Sequence, residues 1–434
     1  MKKLKLSKDS IWNGIIYMGL GTVLAQLINV ILQPILTRII PTEQLGIYTY
    51  IISLANIVIP IASLKMDMLV VSEKDENQAQ LITDLSIYII LLVSVVYLII
   101  IFIGYFLPNK NMFNKYGSVI FIIPLLVFTN GMRFLFISYN NRYKEYKVIS
   151  LVAIVREAMR AVFQVGSGLI TGGAFWQILG YGISPLIGLR LQMKKYKELK
   201  KIRKILSFSQ CFDLIKNKGY RQITYLVPAQ FINSFSTSII TISITNLFSA
   251  TTLGYYSAGV RLLEIPMIFI TANVSKVCYQ KISENVSKKK TVMDIILPVT
   301  IIMAVISLCG FGILYIIAPV FSELVFGNGY SIAGTYIRCF CIMYAVRLLS
   351  GCFTGICTIF NKQSFELIIN IILLAVAGSG YLLGNILRLD IYEYLRYISI
   401  GYTFVYLILL GQYLYLCLKH DKLLIYAKEK EELV

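Results

Sequence analysis

The sequence predicts an all-α integral membrane protein with twelve transmembrane helices, arranged as two six-helix lobes related by a parallel internal repeat. Three observations lead to this fold class: an apolar composition, a series of long apolar segments, and a hairpin that recurs later in the chain. Hydrophobic residues make up 57% and charged residues 15% of the 434 residues. Soluble domains typically contain about 45–50% apolar and about 25% charged residues, so the composition excludes a soluble globular protein.

Twelve segments of the chain are candidates for membrane-spanning helices. A helix needs about 20 mostly apolar residues to cross the hydrocarbon core, and the short polar connections leave no room for a soluble domain. The lysine-rich start runs into an apolar stretch too long for a cleavable signal peptide, so we expect the first span to be both signal and anchor. The predicted spans cover residues 11–37, 45–70, 83–107, 117–139, 148–171, 174–193, 222–248, 253–277, 292–318, 332–360, 365–387 and 397–418.

The hairpin between the first two spans recurs at an offset of 208 residues (37 to 245). The recurring pairs are Thr37 and Thr245, Leu45 and Leu253, Gly46 and Gly254, and Tyr48 and Tyr256. Chance supplies Leu and Ile matches in such a chain, but a Leu-Gly-x-Tyr turn at the same place relative to two spans indicates duplication. Because each repeat has six spans, both begin on the same side of the membrane, and a binding site is expected between them near the midplane.

The repeat and the charges predict the domain organisation and the orientation. We expect an N-terminal lobe over residues 1–193, a basic cytoplasmic linker over 194–219, a C-terminal lobe over 220–418 and a cytoplasmic tail over 419–434. Most of the 41 Lys and Arg fall at the termini and in alternate loops, whereas the opposite loops carry only Arg38, Lys110, Lys115, Arg388 and Arg396. The positive-inside rule then places both termini in the cytoplasm. Topology and contact with anionic headgroups account for the net charge of +19, so no nucleic-acid binding is expected.

Charged side chains inside the spans are the candidate functional residues, because an Arg at the centre of a helix costs roughly 2.5–3.5 kcal/mol on insertion scales. Arg156, Arg160 and Gln164 recur every four residues and form one polar stripe, and Glu157 is spaced to pair with Arg160. The deep cations are Lys65, Arg133, Arg156, Arg160, Arg261 and Arg347, and the deep acids are Asp67, Glu157 and Glu264.

Two interpretations of these charges compete. Any single residue is also explained by an interhelical ion pair that only holds helices together. For the set, cations outnumber acids, which favours a hydrated, positively charged cavity between the lobes that accepts an anionic substrate. Arg suits phosphate because its planar guanidinium binds two oxygens at once.

The sequence contains no catalytic constellation. A P-loop and a cluster with metal-ligand spacing are both missing, and the only histidine, His420, lies in the C-terminal tail. We therefore expect no enzyme activity, no metal and no cofactor. Transport without a nucleotide motif is expected to run on the substrate's own gradient or on an H⁺ or Na⁺ gradient, for which Asp67, Glu157 and Glu264 are the candidate coupling groups.

The hairpin sequence TRIIPTEQLGIYTY (37–50), the later IASLKMD (61–67) and the second copy LFSATTLGYYSAGVRLLEIP (247–266) resemble the polysaccharide-export flippases (Wzx type) of the MOP exporter superfamily. The resemblance implies a flippase that moves undecaprenyl-pyrophosphate-linked oligosaccharide units from the inner to the outer leaflet of the bacterial cytoplasmic membrane. These units feed O-antigen (lipopolysaccharide), capsule or exopolysaccharide assembly, with a polysaccharide polymerase as a partner. The resemblance also implies alternating access and a cationic lumen.

Two other functions fit parts of the pattern. A cation-coupled multidrug antiporter of the same superfamily predicts a lumen rich in carboxylates, which the excess of Arg opposes. A membrane-embedded glycan polymerase predicts a long outer loop carrying Arg or His, which the sequence lacks. Lipid II flippases of the superfamily usually have additional spans beyond twelve, and the sequence predicts no such spans here.

Overall fold

The computed structural model describes residues 8–107, 113–199, 214–220 and 222–432, and within these ranges its regular secondary structure is helical throughout. The α-helices are α1 (Lys8–Ile39), α2 (Thr42–Val58), α3 (Met66–Ser72), α4 (Glu76–Phe106), α5 (Ile123–Arg142), α6 (Tyr146–Ile170), α7 (Ala174–Gln192), α8 (Lys194–Leu199), α9 (Val227–Leu247), α10 (Ala250–Pro266), α11 (Ala272–Ser287), α12 (Met293–Phe326), α13 (Ser331–Gly351), α14 (Ile356–Ile359), α15 (Gln363–Leu387) and α16 (Ile391–Glu432). Short 3₁₀ turns (Ile59–Ile61, Gly117–Ile122) and π-helical segments (Ile215–Gly219, Gln222–Leu226, Met267–Thr271) join some of them.

Each of the twelve predicted spans corresponds to a helix or a pair of consecutive helices, which confirms the predicted fold class. In the described part of the chain, nine helical segments are long and apolar enough to cross a membrane. The other three predicted spans coincide with α6, α7 and α9. Charged residues make α6 more polar, and Gln, Asn, Ser and Thr side chains do the same for α7 and α9.

The chain divides into two compact units, Met1–Gly254 and Tyr255–Val434. In the first unit, α1 packs along α6, α6 packs on α7, and α2 packs on α9. One face of α1 contributes Leu32 and Leu36 to a buried cluster, because residues four apart share a helix face, and Ile40, directly after the helix, extends the cluster. Gly21 lets α1 approach α6 closely, since a Cβ at this position would lie 2.4 Å from Ser150 Cβ.

The two glycines of the repeated turn pack against each other's helix at backbone contact. A Cβ on Gly46 would lie 1.8 Å from the carbonyl oxygen of Ala250, and a Cβ on Gly254 would lie 2.1 Å from that of Thr42. Thr42 and Ala250 are themselves related by the offset of 208 residues. The first turns of α2 and α10 therefore cross in a self-complementary way, which requires glycine at both positions.

The predicted second span, residues 45–70, is wrong as a continuous helix. The helix α2 ends at Val58, and Pro60, which has no amide donor, follows in a 3₁₀ turn. Leu64 and Lys65 then adopt positive φ angles of 49° and 61°, so the chain bends before α3 begins. Asp67 holds this bend, because its carboxylate accepts hydrogen bonds from Ser63 Oγ at 2.5 Å and Ser138 Oγ at 3.4 Å.

The end of α3 is tied to the chain that precedes α9. Lys218 Nζ lies 2.5 Å from Glu73 Oε2, and this hydrogen bond holds the pKa of Glu73 below its ordinary value. Arg142 donates to the backbone carbonyls of Val70 and Glu73. Of the predicted linker 194–219, residues 194–199 form α8 and residues 214–219 precede α9, while residues 200–213 lie outside the described ranges.

The second unit is built on α12, α13, α15 and α16. Pro319 interrupts the hydrogen-bond ladder of α12, because it cannot donate to the carbonyl of Tyr315. Arg338 on α13 replaces the missing donor: its Nε lies 2.8 Å from Tyr315 O, and its Nη2 lies 2.9 Å from Ile316 O. The guanidinium of Arg338 therefore has a structural role in this unit.

The long helix α16 also fixes the start of α12. Asp421 on α16 is buried, and its carboxylate accepts backbone N–H groups from Val292 at 2.9 Å and Met293 at 2.9 Å. The first N–H groups of a helix have no partner within the helix, so Asp421 acts as a capping residue that is distant in sequence.

Replacing Gly46 or Gly254 by Ala is expected to lower the free energy of unfolding by about 1–3 kcal/mol, because the added methyl group overlaps a backbone carbonyl. Gly378→Ala is the matched control, since a Cβ on this helical glycine meets nothing within 4 Å. Thermal unfolding of the purified variants in detergent measures the difference. Equal unfolding temperatures for all three variants would contradict the close crossing.

Asp421→Ala is expected to destabilise the protein by about 1–2 kcal/mol, the usual cost of removing a helix cap. Asp421→Asn keeps one acceptor oxygen for the α12 amides and is expected to lose less. The same thermal unfolding measurement separates the two variants, and a larger loss for Asn than for Ala would contradict the capping role.

Candidate functional site

The helices α5 and α6 bring three of the predicted arginines together in the first unit. Glu157 binds two of them through different oxygens: Arg156 Nη2 lies 2.5 Å from Oε1, and Arg160 Nη1 lies 3.1 Å from Oε2. The Glu157 side chain is only 9% exposed. The spacing of these residues along α6 places them on adjacent positions of one buried face, as the polar stripe predicted.

Residues of α1 and α7 complete the environment of Arg160. Its Nη2 donates to Asn29 Oδ1 at 2.8 Å, and Asn29 also accepts from Gln33 Nε2 at 3.3 Å. The Arg160 Cζ atom lies 5.4 Å from the centre of the Tyr181 ring. Because three helices hold this guanidinium, its position is fixed before any ligand binds.

Arg133 differs from the other two arginines. Its guanidinium lies 4.1 Å from the ring centre of Phe134. The buried Nε atoms of all three arginines have no hydrogen-bond partner. Among the described residues no carboxylate lies within ion-pair distance of Arg133. Arg156, Glu157 and Arg160 are close enough to act on it electrostatically. The arginine cluster (Arg133, Arg156 and Arg160) thus carries three positive charges against the single negative charge of Glu157.

Gln164, the last residue of the predicted polar stripe, links α6 to α7. Gln164 and Gln177 exchange side-chain to backbone hydrogen bonds between α6 and α7, at 3.3 Å and 2.9 Å. Gln177 Nε2 also donates to Ser167 Oγ at 2.9 Å. These bonds tie the two helices together, and no hydrogen bond or ion pair of the described residues joins Gln164 to the arginine cluster.

Lys65 lies in the bend after α2, and Asp67 lies in the first turn of α3. Lys65 Nζ donates to Gln230 Oε1 on α9 at 3.1 Å, and Asp67 accepts from the two serines named above. In the described structure neither residue forms a hydrogen bond or an ion pair with the arginine cluster. Their predicted roles in substrate binding and ion coupling stay predictions.

The second unit brings together Arg261, Glu264 and Arg347. Glu264 on α10 lies within electrostatic range of both arginines. Arg347 on α13 lies 5.2 Å from the ring centre of Tyr344 and lines a polar cavity of about 330 Å³. This group again has two cations and one acid. The polar cavity is also lined by Thr271, Ser275, Ser350, Thr354 and Tyr406.

Sequence reasoning missed the tyrosines that surround both groups. Tyr48 is buried and interacts electrostatically with Arg160, and Tyr256 does so with Arg347. Both belong to the repeated Leu-Gly-x-Tyr turn, so the repeat itself was a signal for them. Tyr181 and Tyr344 follow no pattern that distinguishes them among the 30 tyrosines of the chain.

Comparison with known proteins gives a family match and several matches of fold. The family model described as "Polysaccharide biosynthesis protein" matches residues 11–285, more than half of the chain. Among curated proteins, no sequence matches significantly. The fold is similar to that of the lipid II flippase MurJ in an inward closed conformation, with a TM-score of 0.72 and 12% identity over 96% of this chain and 93% of that chain.

Two further structures show the same fold. One is a multidrug resistance MATE family transporter of the MOP superfamily in an inward-facing conformation, with a TM-score of 0.62 and 14% identity over 94% of this chain and 99% of that chain. The other is a MOP superfamily transporter from Pyrococcus furiosus, with a TM-score of 0.59 and 13% identity over 95% and 96%. These matches confirm the all-α, multi-helix fold that the sequence predicted.

Proposed function

The chain belongs to the polysaccharide biosynthesis protein family, and we propose that it is a flippase for a polyprenyl-pyrophosphate-linked oligosaccharide. The substrate crosses from the inner to the outer leaflet of a bacterial cytoplasmic membrane, with both termini of the protein in the cytoplasm. There the oligosaccharide enters O-antigen, capsule or exopolysaccharide assembly, with a polysaccharide polymerase as the next protein to act. The observation that carries the proposal is the arginine cluster with its single acid.

A pyrophosphate group matches this cluster in charge and in hydrogen bonding. Each guanidinium offers five N–H donors in a plane and binds two phosphate oxygens at once. Glu157 uses some of the donors of Arg156 and Arg160 and fixes their positions. Arg133 is half-buried, and among the described residues it forms no ion pair and its Nε has no hydrogen-bond acceptor. A charge that is partly removed from water without a partner is unfavourable. An anionic ligand supplies the missing partner.

Movement of the substrate by alternating access requires that the outer side opens and closes. In the predicted orientation the crossing of Gly46 and Gly254 lies at the outer side of the membrane. We infer that α2 and α10 separate at this crossing during transport. A contact between backbones without interlocking side chains supports this inference, because it can break and re-form without side chains changing rotamer.

We propose that transport runs on the substrate's own gradient or on a gradient of H⁺ or Na⁺, for which the candidate coupling groups are Asp67, Glu157 and Glu264. Glu264 lies in the second unit beside Arg347 and Arg261, and Asp67 accepts two hydroxyl groups at the bend. A drug antiporter for cationic compounds is disfavoured, because the arginine cluster would repel a cation. The fold shared with multidrug transporters does not by itself decide the substrate.

Replacing Arg133 by Gln is expected to reduce export of the surface glycan by at least about tenfold, since a charge-assisted hydrogen bond contributes about 1.5–3 kcal/mol. The measurement is surface glycan in cells that lack the chromosomal gene and express each variant at equal membrane levels. Arg133→Lys keeps the charge and is expected to restore part of the export. Arg190→Gln, at the exposed end of α7, is the matched control and is expected to export normally.

The double variant Arg133→Gln with Arg156→Gln is expected to abolish export. It keeps Glu157 paired with Arg160, so the α6 face retains an ion pair and the protein is expected to insert normally. Export at the wild-type level by this double variant would show that the substrate does not bind the arginine cluster.

A further inference from the structure

The second unit contains an apolar groove to which the proposed function assigns no part of the substrate. It has a volume of about 380 Å³ and runs between the end of α10 and the middle of α12. Leu262 and Ile265 line one wall, and Gly310, Phe311 and Leu314 line the other. The groove opens toward the surface of α12, because its lining residues Ile306, Ile313 and Ile317 are 42%, 59% and 42% exposed.

The groove and the polar cavity around Arg347 share a wall. Pro266 and Ile270 line the groove, and the residues that follow them, Met267 and Thr271, line the polar cavity. On α13, Leu348 lines the groove and Arg347 lines the cavity. The segment between the two spaces is the π-helical turn Met267–Thr271, a rare geometry that is frequent at functional sites.

We propose that the groove binds the polyprenyl chain of the lipid-linked substrate at a stage of transport in which its pyrophosphate group contacts Arg347 and not the arginine cluster. This inference rests on the proposed flippase function and adds a binding site for the hydrocarbon part of the same molecule. One lipid then spans both sides of the π-helical turn. Its chain contacts Leu262, Ile265 and Leu314, and its charged group lies beside Arg347.

Charge and composition together favour this occupant. An apolar chain gains little hydrophobic free energy when it moves from lipid into an apolar groove, because the lipid tails are equally apolar. The groove therefore cannot capture a neutral chain by apolarity alone. The cationic side chain across the shared wall selects a lipid with an anionic head, and the groove holds its chain in a fixed place. Anchoring the chain beside Arg347 keeps the charged group at the protein during its passage.

Gly310 gives a direct means of blocking the groove. A Cβ on Gly310 meets nothing within 4 Å, so a larger side chain enters the open groove and does not collide with a neighbouring helix at its first atom. Gly312 on the same helix also has open space, but it does not line the groove. Gly310→Phe and Gly312→Phe therefore form a matched pair, and Gly310→Leu is a second groove variant in case Phe prevents folding.

The experiment uses the purified full-length protein in lipid nanodiscs and a polyprenyl pyrophosphate with a photoreactive diazirine in its chain. We expect cross-links on residues 262–270 and 306–317, and a reduction of about tenfold or more in Gly310→Phe, equivalent to about 1.4 kcal/mol of binding. Gly312→Phe is expected to cross-link like the wild type. Arg347→Gln is expected to reduce the cross-links to the same residues.

Phosphatidylglycerol that carries a diazirine in its acyl chain tests the other source of an anionic lipid. If it labels the groove as strongly as the polyprenyl probe and competes with it, the groove is an ordinary lipid site and the inference is wrong. The inference is also wrong if Gly310→Phe and Gly310→Leu cross-link and export glycan like the wild type. In that case the flippase function still stands, provided that the Arg133 and Arg156 variants lose export.

Discussion

The main constraint on the first unit is the excess of positive charge around Glu157. Glu157 forms ion pairs with Arg156 and Arg160, and Arg133 has no carboxylate partner among the described residues. Charges away from water are tolerated only when they are paired and hydrogen-bonded. Glu157 neutralises one positive charge. Arg160 donates a hydrogen bond to Asn29 on α1 and lies over the ring of Tyr181 on α7. Arg133 forms no ion pair among the described residues. Several helices are arranged around this excess of positive charge, which is costly unless an anion or water reaches it.

The second unit has a similar arrangement of charges, formed by different residues. Glu264 lies near Arg261 and Arg347, so one acid again faces two cations. The tyrosines of the repeated turn, Tyr48 and Tyr256, each interact with an arginine of their own unit. The repeated turn thus places a tyrosine near an arginine in both units, although the two arginines are on helices that the offset of 208 residues does not relate.

Sequence reasoning identified the features that depend on the length of apolar segments and on the depth of charged residues within them. The twelve spans followed from apolar segments, and the arginines followed from their position inside those segments. Sequence reasoning did not identify features that depend on a partner far along the chain. The interaction of Arg338 with the carbonyls freed by Pro319 requires knowledge of how α12 and α13 pack. The bend at Leu64 and Lys65 requires backbone angles that neither residue type favours.

The most direct test of the account is the affinity of the purified protein for a polyprenyl pyrophosphate relative to the uncharged polyprenol of the same length. The account predicts that the wild type prefers the pyrophosphate by at least about tenfold, or about 1.4 kcal/mol. It also predicts that the preference is greatly reduced when Arg133 and Arg156 are both replaced by Gln. Equal affinity for the two lipids in the wild type, or an unchanged preference in the double variant, would contradict a cationic binding site for the lipid phosphate.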